Sequence, residues 1–179
     1  MSVAAAAGVF IRPGFLSAAA CVRVRQAMDA ADLSPAEIYQ DGYRVDETVR
    51  RAFEVDVDAA LVRDVTAAIA AVQPSVSRFF AAPLAASEGP GFLRYPPGGF
   101  YAPHRDCLPG ARDAFPRRIA VVLFLNHAEG GVLRLYDERD SPLDIAPVQG
   151  TLIAFPATWL HEVLPVTGGV RDAIVDWFY

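Results

Sequence analysis

The stretch GPGFLRYPPGGFYAPHRD, residues 89–106, marks the point at which the pattern of the chain changes. Up to about Phe80 apolar residues recur at helical spacing, whereas from Gly89 onward short β-branched or aromatic runs alternate with Gly, Pro and Asp. Such runs are typical of short strands separated by turns. The sequence therefore predicts a β-rich C-terminal half preceded by a helical region.

Eight short strands are predicted after this point. Eight strands punctuated by turns indicate a sandwich or jelly roll. The run Ile119–Leu125 is apolar at every position, as expected of a central strand that is buried on both faces. The predicted strands are Gly91–Tyr95, Phe100–Pro103, Ile119–Asn126, Val132–Tyr136, Leu143–Ile145, Thr151–Phe155, His161–Pro165 and Asp172–Phe178.

Two helices are predicted before residue 81. Ser17 is a candidate N-cap for the first helix, and Asp56 or Asp58 for the second, because their side-chain oxygens can accept hydrogen bonds from the first turn. A short strand around Val9–Ile11 precedes both helices. The segment Tyr39–Val55 between them is polar and aromatic without a clear period, which makes it a candidate lid or substrate loop.

A chain of 179 residues fits a single domain. We interpret residues 1–88 as the N-terminal strand and helices, and residues 89–179 as the core. The expected fold class is mostly β with flanking helices. In this arrangement a double-stranded β-helix, or jelly roll, packs against N-terminal α-helices.

Composition argues against a membrane protein, although 53% of the residues are hydrophobic and the mean hydropathy is +0.25. The longest apolar runs, Val3–Phe10 and Ile119–Leu125, are far shorter than the roughly 20 residues that a membrane-spanning helix needs. The N-terminus lacks a basic region before its apolar stretch, so we expect no signal peptide and a cytoplasmic protein. In that compartment Cys21 and Cys107 are expected to stay reduced and not to form a disulfide.

Charge argues against a nucleic-acid partner. The formal net charge is −5 and the pI is about 5.1. The basic blocks are no longer than the pairs Arg50–Arg51 and Arg117–Arg118, whereas binding to a phosphate backbone needs a basic stripe.

A metal site is suggested by two of the three histidines. His104 and Asp106 are two residues apart, on or just after a strand, and alternate strand residues point to the same side. His161 follows 55 residues after Asp106, at the start of another predicted strand. Two histidines and one carboxylate on one face of an ion form the facial triad of non-haem Fe(II) oxygenases, which leaves coordination positions open.

His-x-Asp alone is a weak signal, and an exposed turn without function would explain it about as well. Arg171 adds support because it lies ten residues after His161, where a strand pair could return it to the pocket. There it could bind the tail of a dicarboxylate as a bidentate cation. Arginine is more often a surface charge, but the apolar run Ala173–Val175 beside it argues against free solvation.

Several motifs in order make the second half of the chain, Gly91 to Tyr179, resemble the catalytic core of the prolyl-hydroxylase-like Fe(II)/2-oxoglutarate oxygenases. The helical half matches more loosely. The motifs are FLRYPPGGFYAPHRD (Phe92–Asp106), VVLFLN (Val121–Asn126), GGVLRLY (Gly130–Tyr136), HEVLP (His161–Pro165) and RDAIVDWF (Arg171–Phe178).

The resemblance implies roles for seven residues. It implies iron ligands at His104, Asp106 and His161, a 2-oxoglutarate carboxylate partner at Arg171, a hydroxyl facing the co-substrate at Tyr95, and pocket aromatics at Tyr101 and Trp177. For the three aromatic residues the alternative is packing in the core, which for Trp177 is about as well supported.

The same resemblance implies Fe(II) as the metal, 2-oxoglutarate and O2 as co-substrates, and ascorbate as a further candidate cofactor. The products would be a hydroxylated substrate, succinate and CO2. Asp106 favours hydroxylation, since related halogenases carry a small residue at this ligand position. A prolyl residue of a protein or peptide is the leading substrate. The alternatives are a free amino acid or other small metabolite, and a jelly-roll binding or sensor module without turnover.

Overall fold

A computed structural model describes residues 4–6, 8–39, 42–107 and 116–179. Within these ranges the chain forms two helices, α1 (Ala18–Asp29) and α2 (Ala59–Phe80), and seventeen short strands. The strands are β1 (Ala4–Ala6), β2 (Val9–Arg12), β3 (Asp32–Pro35), β4 (Ile38–Tyr39), β5 (Tyr43–Arg44), β6 (Arg50–Arg51), β7 (Phe53–Asp56), β8 (Gly91–Tyr95), β9 (Phe100–His104), β10 (Ile119–Phe124), β11 (Glu129–Gly130), β12 (Leu133–Tyr136), β13 (Pro142–Ile145), β14 (Leu152–Pro156), β15 (Leu160–Val163), β16 (Val166–Gly168) and β17 (Arg171–Phe178).

Two antiparallel sheets form the core. The large sheet has the order β1-β2-β14-β10-β17-β8-β7-β3, and the small sheet has the order β13-β12-β15-β9-β6. Phe124 and Phe155 of the large sheet share one buried apolar cluster with Leu133 and Leu135 of the small sheet, so the two sheets face each other. This is the predicted jelly roll, with two further strand pairs, β4–β5 and β11–β16.

Strand β10 is buried on both faces, as its uninterrupted apolar sequence predicted. Val121 and Leu123 join the cluster beneath the helices, while Val122 and Phe124 join the cluster between the sheets. Its neighbours in the large sheet are β14 and β17. Strand β10 is therefore central, and it connects the helical layer to the interior of the jelly roll.

Both predicted helices are confirmed, and each begins at a capping side chain. Ser17 Oγ accepts a hydrogen bond from the backbone N–H of Ala20, at 3.2 Å. Asp58 Oδ1 accepts from Ala60 and Leu61, at 2.8 and 2.9 Å. The helices pack on the outer face of the large sheet through the buried residues Cys21, Val24, Met28, Val65, Ile69, Val72 and Val76.

A charge network fastens α1 to the large sheet. The carboxylate of Asp172, which is fully buried, accepts hydrogen bonds at 2.8 Å from Nε of Arg25 and from Nε of Arg94. Arg94 also donates to Asp29 at the end of α1, at 2.7 Å. Because two guanidinium groups compensate the buried carboxylate, removing Asp172 would leave both of them with their main partner missing.

The region before α2 contains more strands than the single one predicted near Val9–Ile11. Strand β2 lies there, and β1, β3, β4, β5, β6 and β7 are additional. Strands β3, β5, β6 and β7 are short and mostly exposed, so they lack the alternation that reveals a strand in sequence. They form through pairing with partners elsewhere, such as β7 with β8 and β6 with β9. Among the described residues, neither helix combines the length and apolarity required to cross a lipid bilayer.

Candidate metal and co-substrate site

His104 and His161 are brought together by the small sheet. They are directly paired residues of the adjacent antiparallel strands β9 and β15, and their ring centroids lie 4.1 Å apart. Paired residues on one face of an antiparallel ladder have neighbouring side chains. The register of these two strands therefore places both imidazoles at one point on the sheet.

Backbone contacts orient both imidazole rings. Nδ1 of His104 lies 2.9 Å from the carbonyl oxygen of Ala102, and Nδ1 of His161 lies 3.0 Å from that of Trp159. A carbonyl oxygen can only accept, so each Nδ1 carries the proton and each Nε2 keeps its lone pair. This is the arrangement that outer partners give to metal-binding histidines.

Asp106 completes the cluster from the segment that follows β9. The backbone N–H groups of Asp106 and Cys107 both donate to the carbonyl oxygen of Ala157, at 3.1 Å, which fastens this segment to the turn after β14. The carboxylate oxygens lie 3.7 Å from Nε2 of His104 and 3.5 Å from Nε2 of His161. The three donor atoms all lie within 4.8 Å of one another.

This donor set fits a divalent transition metal. Burial, reinforced by the neighbouring His161, lowers the pKa of His104 to about 3, so its imidazole is neutral and able to coordinate. Two imidazole nitrogens and one carboxylate form the facial triad typical of non-haem Fe(II), with the remaining positions available to other ligands. His104, Asp106 and His161, predicted from spacing, thus lie together with compatible chemistry.

Aromatic rings enclose the two histidines. Tyr101 stacks on His104 with ring centroids 3.5 Å apart and planes inclined by 18°, and Phe155 meets His161 edge-on at 4.9 Å. The guanidinium of Arg50 lies 4.8 Å from the centroid of the Tyr101 ring, on which it contributes a cation–π contact. Burial raises the pKa of the Tyr101 phenol, which keeps it protonated. Tyr101 therefore lies beside the metal ligands, as predicted.

Arg171 and Tyr95 also meet through a strand pair, in this case in the large sheet. They are paired residues of β17 and β8, and the Arg171 guanidinium lies 4.9 Å from the Tyr95 ring and 5.1 Å from that of Phe124. The sequence suggested that a strand pair could return Arg171 to the pocket, and the partner is β8 and not the strand of His161. Strands β15 and β17 lie in opposite sheets, because the chain crosses between them through β16.

The Arg171 side chain is buried without a compensating anion among the described residues. It is 2% exposed, its Nε has no hydrogen-bond partner, and no carboxylate there forms an ion pair with it. Burial lowers the pKa of this guanidinium, which reflects the cost of holding a charge away from water. An unpaired buried guanidinium fits a carboxylate ligand, the distal group of 2-oxoglutarate.

Trp177, the third predicted aromatic, is half-buried and packs against the apolar cluster between the sheets. The guanidinium of Arg117 lies 3.7 Å from its ring centroid, and Arg117 is held by a bidentate ion pair with Glu88. Nε1 of Trp177 is buried without a hydrogen-bond partner among the described residues. The structure places this residue in the interior layer but records no contact between it and the metal ligands.

Some residues around the site were not predicted from the sequence. Arg50 and Arg117 were noted only as members of short basic pairs, yet each lies over one of the predicted aromatic residues. No local pattern could have identified these contacts, because both depend on the way distant strands pack. The segment Cys107–Pro116, which follows Asp106 directly and is a second candidate substrate loop in the sequence, lies mostly outside the described residues, which omit 108–115.

Comparison with known proteins gives a consistent result. The family model for the 2OG-Fe(II) oxygenase superfamily matches residues 90–179, half of the chain. A PKHD-type hydroxylase of Xanthomonas campestris pv. campestris (strain B100) is 29% identical over 175 residues, which cover 92% of this chain and 75% of that protein. Another, of Parvibaculum lavamentivorans, is 37% identical over 108 residues, which cover 56% of this chain and 47% of that protein.

Solved structures show the same likeness. A Pseudomonas putida prolyl-4-hydroxylase is 29% identical with a TM-score of 0.73, and the match covers 96% of this chain and 91% of that one. A Trichoplax adhaerens prolyl hydroxylase, solved with a peptide of hypoxia inducible factor, has a TM-score of 0.81 at 19% identity, with 96% and 83% covered. The second match supports the fold alone.

Proposed function

Because the chain belongs to the 2OG-Fe(II) oxygenase superfamily, we propose that this 2-oxoglutarate-dependent dioxygenase hydroxylates a prolyl residue of a protein or peptide. Iron(II) bound in the site, with 2-oxoglutarate and O2, would supply the oxidant that inserts one oxygen atom into a C–H bond and yields succinate and CO2. The observation that carries the proposal is the convergence of His104, Asp106 and His161, with both imidazole Nε2 atoms free to coordinate.

The chain's own residues have separate tasks. His104, Asp106 and His161 would hold the iron and would leave its remaining coordination positions to the co-substrates. Arg171 would bind the distal carboxylate of 2-oxoglutarate. The phenol of Tyr95, the strand partner of Arg171, would donate a hydrogen bond to the same co-substrate. Tyr101 covers His104 from one side and limits the access of water to the ligand.

A peptide substrate is favoured by two exposed tyrosines in a segment that Arg50 connects to the metal ligands. Tyr39 and Tyr43, 74% and 75% exposed, pack against each other in the β4–β5 hairpin, and tyrosine is enriched in protein-binding surfaces. The backbone before this hairpin is bonded to Arg50, whose Nη1 donates to the carbonyl of Glu37 at 2.6 Å. Arg50 lies over Tyr101, which stacks on the metal ligand. A continuous set of contacts thus links the exposed tyrosines to the reaction centre.

The likeness to the Pseudomonas putida prolyl-4-hydroxylase supports prolyl hydroxylation in particular. Trp177 would form part of the substrate pocket, at the edge of the apolar cluster between the sheets. A cytoplasmic location is part of the proposal.

The test is a substrate screen that is read in two ways. Purified protein with Fe(II), 2-oxoglutarate and ascorbate is incubated with proline-containing peptides, cell proteins and metabolite extracts. Succinate is quantified and products are searched by mass spectrometry for one added oxygen atom. The added oxygen is expected on proline in a tryptic peptide and absent with the His161→Ala variant. Oxygen found only on a free amino acid would replace the proposed substrate class, and no substrate-dependent succinate at all would favour a sensor without turnover.

A further inference from the structure

Two residues outside the metal site, Asn126 and Gly131, restrict where the Arg171 side chain can lie. We propose that both are positioning residues for 2-oxoglutarate, acting through the Arg171 side chain. This inference rests on the proposed function, because it takes the distal carboxylate of 2-oxoglutarate as the ligand of Arg171. It goes further in assigning the geometry of that contact to residues that touch neither metal nor co-substrate.

The side chain of Asn126 forms hydrogen bonds with the backbone on both sides of Arg171. Its Oδ1 accepts a hydrogen bond from the N–H of Asp172 at 2.9 Å, and its Nδ2 donates to the carbonyl of Val170 at 2.7 Å. Asn126 follows β10, where the regular pairing of β10 with β17 has ended at Phe124. The amide side chain therefore continues the ladder by one step and fixes the backbone from which Arg171 projects.

Gly131 makes room for the stem of the Arg171 side chain. A Cβ atom built on Gly131 would lie 2.7 Å from Cδ of Arg171 and 3.1 Å from Cγ2 of Val166. The Arg171 stem cannot move aside easily, because its guanidinium lies between the rings of Tyr95 and Phe124. Any side chain at position 131 would consequently displace the guanidinium.

Backbone strain has to be separated from this steric effect. Gly131 has a φ of +59°, a left-handed conformation that is strained for alanine. Gly169 provides a matched control, since its φ is +68° and a Cβ atom there would meet nothing within 4 Å among the described residues. Gly131→Ala and Gly169→Ala thus introduce similar backbone strain, but only Gly131→Ala obstructs the Arg171 side chain.

The first experiment measures binding without turnover. Calorimetry gives the Kd for 2-oxoglutarate of the Mn(II)-loaded protein, and the Kd for Mn(II) is measured separately. We expect Gly131→Ala to raise the 2-oxoglutarate Kd roughly tenfold, while Gly169→Ala stays within about twofold and both bind Mn(II) normally. Equal effects of the two substitutions would overturn the role of Gly131.

The second experiment is a double-mutant cycle with Arg171→Ala. If Gly131 acts through Arg171, Gly131→Ala should cause no further loss of 2-oxoglutarate affinity in the Arg171→Ala background. An additive loss would overturn the proposal. Wild-type protein that binds no 2-oxoglutarate would overturn the proposed function as well, so the two failures are distinguishable.

Asn126 is tested by a variant that does not depend on glycine geometry. Asn126→Ala should raise the 2-oxoglutarate Kd by roughly fivefold to tenfold and leave the Kd for Mn(II) unchanged. The control is Gln149→Ala, which removes a similar side-chain bond to the backbone, from Nε2 to the carbonyl of Leu125 at 3.2 Å. Similar effects of both alanine variants on the 2-oxoglutarate Kd would exclude a specific role for Asn126.

Discussion

The guanidinium of Arg171 lies 4.9 Å from the ring centroid of Tyr95, its direct partner across two antiparallel strands. The contact holds a cation in an apolar environment, where no carboxylate of the described residues neutralises it. A site of this kind is complementary to an anion that arrives with the co-substrate. We therefore expect the binding of 2-oxoglutarate to be sensitive to this side chain in particular.

Arg171→Ala should raise the 2-oxoglutarate requirement while metal binding stays near normal. A charge-assisted hydrogen bond contributes about 1.5–3 kcal/mol, which corresponds to roughly a tenfold to hundredfold increase in the apparent KM. Succinate formation as a function of 2-oxoglutarate concentration measures the effect. Arg23→Ala, at an exposed position of α1, is the control and should behave as wild type. An unchanged requirement in Arg171→Ala would exclude the carboxylate role.

Replacing any one of His104, Asp106 and His161 by alanine should abolish stoichiometric binding of Fe(II) or Mn(II). Each residue supplies one of the three donor atoms, and two donors alone hold a divalent ion weakly. Metal content after dialysis, measured by elemental analysis, is the readout. The exposed His127 offers a matched control, and His127→Ala should retain one metal ion per chain. If a variant in which all three ligands are replaced together kept its full metal content, the proposed site would be refuted.

Tyr101 should stabilise the orientation of the His104 ring through stacking and not through its hydroxyl group. Tyr101→Phe keeps the stacked ring and should bind Mn(II) as wild type does, whereas Tyr101→Ala should weaken Mn(II) binding by about twofold to tenfold. The exposed Tyr39 supplies a control, since Tyr39→Ala leaves the metal ligands untouched. Calorimetric titration with Mn(II) distinguishes these outcomes. Equal affinity of the phenylalanine and alanine variants would show that the stack contributes nothing.

Asp176→Asn should raise the Tm at neutral pH. The carboxylate is fully buried, one of its oxygens has no partner among the described residues, and burial raises its pKa above the ordinary value. Asparagine removes the charge and can keep the acceptor oxygen for the N–H groups of Gly89 and Trp177. Each kcal/mol gained would appear as about 2–4 °C in Tm for a chain of this size.

The same variant has a defined pH dependence. Because the folded pKa of Asp176 is raised, the folded state binds more protons than the unfolded state above the ordinary carboxyl pKa of about 3.9. Stability from this group is therefore fully present below pH 3.9 and is lost as pH rises through the folded pKa. The Tm difference between Asp176→Asn and wild type should shrink as pH falls. The exposed Asp64, changed to asparagine, should show no such trend.

Two segments are expected to choose the substrate, namely Tyr39–Val55 and Cys107–Pro116. Specificity on a rigid scaffold is commonly determined by loops, and the second segment starts next to Asp106. Hydrogen exchange of the protein loaded with iron and 2-oxoglutarate should show protection of both segments when substrate is added. Shortening Cys107–Pro116 should cripple hydroxylation while substrate-independent formation of succinate persists. If substrate changed the hydrogen exchange of neither segment, substrate recognition would have to come from the strands or helices.

Part of the metal site was predictable because two of its ligands are close together in the chain. His104 is the last residue of β9 and Asp106 follows two residues later, whereas His161 lies in β15, a strand with its own apolar signature. The supporting contacts were not predictable, since the carbonyl of Ala157, which holds Asp106, lies on a distant turn. Gly131 likewise gains its significance only from the position of Arg171 in another sheet.

The eight predicted strands of the second half all correspond to observed strands, with ends shifted by a few residues. Most of them contain runs of apolar residues, because they belong to the two sheets that enclose the core. The short strands before α2 lack this signal, and so do β11 and β16, which pair only with each other. In such segments the hydrogen-bond partner and not the side-chain pattern determines the structure.

Arg171 and Asp172 are adjacent residues that face opposite sides of β17, one beside Tyr95 and the other against Arg25 and Arg94. A slip of this strand by one residue would exchange their faces. The carboxylate of Asp172 would then lie beside the rings of Tyr95 and Phe124. The guanidinium of Arg171 would face those of Arg25 and Arg94. The order of these two charges therefore penalises misaligned folding intermediates, and a chain that has aligned this strand has also placed Arg171 beside Tyr95 and Phe124.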